Sequence, residues 1–123
     1  MKTGLVILAH GARDPRWAEP FERLREVVQQ RAPSAAVRLA YLESMQPDLT
    51  TAVTELIGLA ATAIRVVPIF FGQGGHVRED LPRLIAKLAQ DHPEVEIGCT
   101  LPAGEAPEVI EALAGYCLDG LHA

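Results

Sequence analysis

Apolar positions along the chain alternate between two textures. Runs dense in branched aliphatics occur at Gly4 to Ala9, Ala36 to Leu42, Ala63 to Phe71 and Val95 to Thr100. They recur at about 30 residues, the repeat length of strand–helix units. Between them the apolar residues follow helical spacing: Trp17, Phe21, Leu24 and Val28; Leu49, Val53, Leu56 and Ile57; Leu81, Leu84, Ile85 and Leu88; Ile110, Leu113 and Cys117. Each set marks one face of a helix. The start signals agree, with Asp14-Pro15 and Gln46-Pro47 opening the first two helices and Asp80 placed to cap the third ahead of Pro82. The pattern predicts βαβαβαβα, a doubly wound α/β fold with a four-stranded parallel sheet, flavodoxin-like in plan.

The runs also predict their own order. Leu5 to Ala9 and Ile64 to Phe71 are almost continuously apolar, as central strands buried on both faces must be, although Pro68 lacks a ladder donor. Val37 to Tyr41 and Val95 to Cys99 interleave polar or small residues, as edge strands do. Right-handed crossovers then give the order 2-1-3-4. The chain leaves strands 1 and 3 towards opposite edges, opening a crevice at their carboxyl ends, where open α/β sheets bind ligands.

Length and charge narrow the function. The 123 residues make one domain, 1–123, so a site with two walls takes one of them from a partner chain. Eleven Lys and Arg against 16 Asp and Glu give a net charge of −5, which argues against nucleic acid or an anionic membrane surface as a partner. Cys99 and Cys117 form no C-x-x-C pair, and no apolar stretch approaches the roughly 20 residues of a membrane span. Met1-Lys2-Thr3 enters the first strand without a cleavage site, so the expected compartment is the cytoplasm. A hydrophobic content of 49% leaves apolar surface to spare for a homodimer contact.

The crevice loops carry the candidate chemistry. After strand 1 comes His10-Gly11-Ala12-Arg13-Asp14, and after strand 3 comes Gly72-Gln73-Gly74-Gly75-His76-Val77-Arg78-Glu79-Asp80, while strand 2 ends at Glu43. Adjacent strands lie about 4.8 Å apart, so the two histidines and the carboxylate can converge on one centre. Two imidazoles and a carboxylate without thiolates suit a borderline divalent transition metal. Each residue also has a plainer reading: the histidines as turn residues, Glu43 as a solvated acid, Asp14 and Asp80 as helix caps, Arg13 and Arg78 as surface charges. Both histidines at the switch point favour function over coincidence. Gly72-Gln73-Gly74-Gly75 matches no phosphate-binding spacing, and its glycines suit close approach by a flat ligand. His92 falls at the opposite end of the sheet and His122 in the tail. Cys99 and Cys117 read as small apolar side chains.

Leu8-Ala9-His10-Gly11-Ala12-Arg13-Asp14, Tyr41-Leu42-Glu43 and Gly74-Gly75-His76-Val77-Arg78-Glu79-Asp80-Leu81-Pro82, in that order and spacing, resemble the small sirohydrochlorin chelatases of the class II chelatase family. The resemblance spans essentially the whole chain. It departs at Ala12, where the family commonly has serine. It implies a chelatase-like fold and insertion of Co(II), or of Fe(II) or Ni(II), into a metal-free tetrapyrrole with release of two protons. The metal is a substrate, and no cofactor is permanently bound. His10, His76 and Glu43 are the expected catalytic residues, His10 and His76 the expected metal ligands, and Arg13, Gln73, Gly74, Gly75 and Arg78 the expected binding residues for an anionic macrocycle. A non-catalytic cobalt or nickel carrier would use the same histidines without a large apolar cleft. A receiver module would instead place acids where His10 and Arg13 stand, and a phosphohistidine phosphatase would need an arginine cluster beside its histidine.

Overall fold

A computed structural model describes residues 2–72 and 74–122. Four parallel strands, β1 (Lys2–Ala9), β2 (Ala36–Tyr41), β3 (Ala61–Pro68) and β4 (Glu96–Cys99), form one sheet in the order β2-β1-β3-β4. Helices α1 (Glu19–Arg31), α2 (Leu49–Gly58), α3 (Gly75–Asp91) and α4 (Pro107–Asp119) follow them in turn. The predicted order and the two central strands stand as read. Among the described residues no helix is long and apolar enough to cross a membrane.

The two faces of the sheet are covered unequally. Val6 and Leu8 of β1 and Ile64 and Val66 of β3 join Leu49, Ala52, Val53 and Leu56 of α2 and Leu81 and Leu88 of α3 in one sealed core. Full burial of each such aliphatic chain is worth about 1.5–3 kcal/mol, so this layer anchors the fold. On the other face a small cluster of Ala9, Ala18 and Tyr41 is flanked by Phe21, Leu39 and Met45. Neither α1 nor α4 buries a residue completely.

Several boundaries depart from the sequence reading, each for a local reason. The third strand ends at Pro68, where the missing N–H interrupts the ladder, and not at Phe71. The second helix starts at Leu49 under Asp48, whose carboxylate accepts from Thr51 N at 2.9 Å; hydrogen bonding from the Thr51 side chain, then from this N–H, holds it below the ordinary carboxylate range. Pro47 therefore lies outside that helix, its carbonyl accepting from Tyr41 N. The third helix begins at Gly75 behind Gly74, so Asp80 is an interior residue and no cap, and Pro82 sits within the helix. Its apolar stripe starts a turn earlier, at Val77, which packs on the core and draws the preceding turn into the helix. Asp14 does cap, accepting from Arg16 N and pairing with the Arg16 guanidinium. The short 3-10 turn it opens, Pro15–Ala18, turns Ala18 inward and leaves Trp17 66% exposed, contrary to its expected place on an inner face. Ile110 and Cys117 of α4 are likewise exposed, because nothing among the described residues covers that side of α4.

Candidate active site

Two backbone hydrogen bonds fasten the loop after β1 to the loop after β2. Leu42 N donates to Ala9 O (3.1 Å) and Glu43 N to His10 O (3.2 Å), extending the strand pairing one step past the sheet. Gly11 makes this possible. Its φ is +96°, and a Cβ there would fall on the Glu43 carbonyl oxygen. The result is that His10 Nε2 faces Glu43 Oε1 at 3.4 Å, with both side chains more than half exposed. The imidazole also meets the Phe70 ring edge to face, centroids 6.2 Å apart.

His10 stands at the mouth of a cavity of about 680 Å³. Trp17, Phe21 and Tyr41 wall it on the α1 side, Phe70 and Phe71 at the end of β3, and Val109 and Leu113 from α4. Its lining is overwhelmingly apolar, as suits a flat hydrophobic ligand presented to a few polar groups. Tyr41 is 5% exposed, and burial, then the negative charge of Glu22, push its phenol above the ordinary range, so it stays protonated.

None of the other described candidate residues lines the cavity. Seven residues separate the end of β3 from His76, which is exposed at the start of α3. Among the described residues no three of His, Cys, Asp and Glu gather as a metal set, so His10 and Glu43 form a pair to which His76 does not add a third member. Arg13 and Arg78 are exposed, Gly74 caps α3 and Gly75 opens it, and none of the four lines the cavity. Gln73 lies outside the described residues. Cys99 is exposed at the end of β4, not buried as its type suggested. Crowding by its neighbours pushes the thiol up, so it remains protonated and a poor metal ligand.

The aromatic wall escaped the sequence reading. Trp17 and Phe21 read as core, Tyr41 and the Phe70-Phe71 pair as strand ends. The available signal was the proline two residues before Phe70, which ends the strand and frees that pair to face the crevice.

A model of the CbiX family matches residues 4–116. A sirohydrochlorin cobaltochelatase from Methanocaldococcus jannaschii is 34% identical over 88 residues, covering 72% of this chain and 62% of the relative. One from Saccharolobus solfataricus is 29% identical over 116 residues, covering 89% of each. Among solved structures, a cobalamin biosynthesis CbiX protein from Marinobacter aquaeolei superposes with a TM-score of 0.83 at 33% identity over 98% of both chains. The sirohydrochlorin chelatase SirB of Bacillus subtilis in complex with cobalt superposes with a TM-score of 0.80 at 25% identity, covering 97% of this chain and 51% of SirB. With nearly all of its sheet and both histidine loops within residues 4–116, the chain belongs to the CbiX family.

Proposed function

We propose that this chain is a sirohydrochlorin-type chelatase that inserts a divalent metal ion into a metal-free tetrapyrrole, with Co(II) the expected ion and Fe(II) or Ni(II) its alternatives. The observation that carries this reading is the His10–Glu43 pair at the rim of an apolar cavity wide enough to take part of a flat macrocycle. Insertion replaces two pyrrole protons by one divalent ion. His10 and His76 hold the incoming ion, and Glu43 beside His10 Nε2 takes up the two released protons one at a time, passing the first to solvent before it accepts the second. Arg13, Gln73, Gly74, Gly75 and Arg78 hold the carboxylates of the macrocycle on this reading. The 123 residues act as one domain, in the cytoplasm, without a resident cofactor. The direct test is insertion by purified protein supplied with sirohydrochlorin and Co(II), Fe(II) or Ni(II) in turn. Turnover above the spontaneous rate with at least one ion is expected. Tight metal binding with neither turnover nor affinity for the macrocycle would make the chain a carrier instead.

The active unit is a homodimer on this reading. The chain exposes 7934 Å², whereas a compact monomer of its mass exposes about 6,500 Å². The surplus, about 1,500 Å², is more than the ~800 Å² that each partner contributes to a standard interface. Apolar surface is available on α4 and the residues that follow it, where Tyr116 is 77% and Leu121 76% exposed and Leu118 and Ile110 are exposed as well. The SirB chain, matched over about half its length, is long enough for two such units. Sedimentation equilibrium at micromolar concentration is expected to give twice the 13.3 kDa chain mass. Tyr116→Glu with Leu121→Glu should shift it to the monomer. A fully active wild-type monomer would remove the claim.

A further inference from the structure

Past Pro68 the chain has left the sheet, yet its next two residues remain fixed. Ile69 N donates to Leu8 O at 2.8 Å, and Phe70 O accepts from Gly104 N at 3.1 Å. Gly104 belongs to the short turn Ala103–Glu105 that follows β4. The turn lies so close that a Cβ on Gly104 would fall on the carbonyl oxygen and Cα of Phe71. Only glycine lets the turn rest directly on this backbone.

What is held there is the Phe70 ring, standing at 77° to the imidazole of His10. His10 is a loop residue with a side chain 55% exposed, and among the described residues Glu43 Oε1 restrains one of its ring atoms. A single such contact leaves the imidazole free to turn about its Cβ–Cγ bond. An edge-to-face aromatic neighbour fixes the plane of the ring as well. We propose that Phe70 is a positioning residue for His10, and that the close seat of Gly104 on the Phe70-Phe71 backbone sets it.

This inference rests on the reading of His10 as a participant in insertion, and it assigns the residues that aim it. Proton transfer and delivery of a bound ion both depend steeply on orientation, so loss of aim lowers turnover and leaves macrocycle binding to the rest of the cavity.

The test compares Phe70→Leu, which keeps an apolar side chain, with Phe70→Tyr, which keeps the ring, and with Gly104→Ala, which lifts the turn. Two readouts are taken on the whole protein: steady-state insertion of Co(II) into sirohydrochlorin, and the His10 ring-proton resonance in the protein without substrates. For Phe70→Leu and Gly104→Ala, kcat is expected to fall about ten-fold while the macrocycle KM stays within about two-fold. In both variants the His10 resonance shifts or broadens, whereas Phe70→Tyr restores both readouts. Equal kcat for the Leu and Tyr variants, a loss confined to KM, or an unmoved His10 resonance in Phe70→Leu would each overturn the proposal. Should Phe70→Leu fail to fold, Phe70→Met makes the same comparison with a more adaptable apolar chain. Full turnover in His10→Ala would overturn the reading of the site itself, whereas the resonance tests the geometry independently of activity.

Discussion

Replacing His10 or His76 by alanine should bring metal insertion down to the spontaneous background, a loss on the order of 10²–10⁴ if each serves as a proton acceptor or delivers the ion. Folding should hardly notice. Both side chains are exposed, and neither belongs to a buried cluster, so each substitution should stay within about 0.5 kcal/mol of the parent stability. Binding of sirohydrochlorin should survive in both, because most of the cavity wall is made of other side chains. The two variants differ in what they leave behind. His10→Ala leaves the Glu43 carboxylate without its neighbour, whereas His76→Ala leaves the His10–Glu43 pair intact at 3.4 Å. Single-turnover insertion monitored by the absorbance of the macrocycle, beside a thermal melt, checks both at once. Near-normal turnover in both variants would show that the chemistry lies elsewhere.

Gly11→Ala should do the opposite to stability. A φ of +96° is strained for any residue with a Cβ, and here the added carbon also falls on the Glu43 carbonyl oxygen. Strain of this kind is worth about 1–3 kcal/mol, and parting the loops gives up at least one backbone bond worth about 1 kcal/mol, so a destabilisation of about 2–4 kcal/mol is expected. The same movement separates His10 from Glu43, and activity should fall even at saturating metal and macrocycle. Gly115→Ala in α4, where a Cβ meets only open space, is the control and should hold or slightly raise stability. A Gly11→Ala protein with parental melting temperature and turnover would mean that the two loops are less tightly coupled than their hydrogen bonds imply.

The sheet was legible because burial on both faces leaves an unmistakable record. Leu5 to Ala9 and Ile64 to Val67 admit almost no polar residue, and the runs beside them do. The histidine loops were legible because strand order alone places them at one end. What stayed hidden depends on what covers a face. Trp17, Phe21, Leu24 and Val28 have helical spacing whether their side meets a sheet, a ligand or a partner, and periodicity cannot separate these. Trp17 turned out to border the cavity. The start of α3 was hidden for another reason. Pro82 reads as a first-turn residue, and the packing that tolerates it inside the helix comes from Val77, Leu81 and Leu84 joining the tertiary core, which helical spacing alone does not reveal. Of the expected triad His10 and Glu43 stand in contact, whereas His76 sits further along the chain at the start of α3, because spacing between strands fixes where loops begin and not how far they travel.

The unequal covering of the sheet bears on how such a protein can change over evolutionary time. Most of the buried side chains belong to the core beneath α2 and α3, so most of the margin by which the fold stays above its stability threshold is held there. Substitutions at Trp17, Phe71, Val109 or Leu113 draw little on that margin, since all four are exposed or half-exposed around an open cavity. The reacting side is thus free to drift towards another ion or a differently decorated macrocycle, while the opposite side is restrained by close packing. A lineage can retune its chemistry here without first acquiring compensating mutations, and selectivity should diverge faster than architecture.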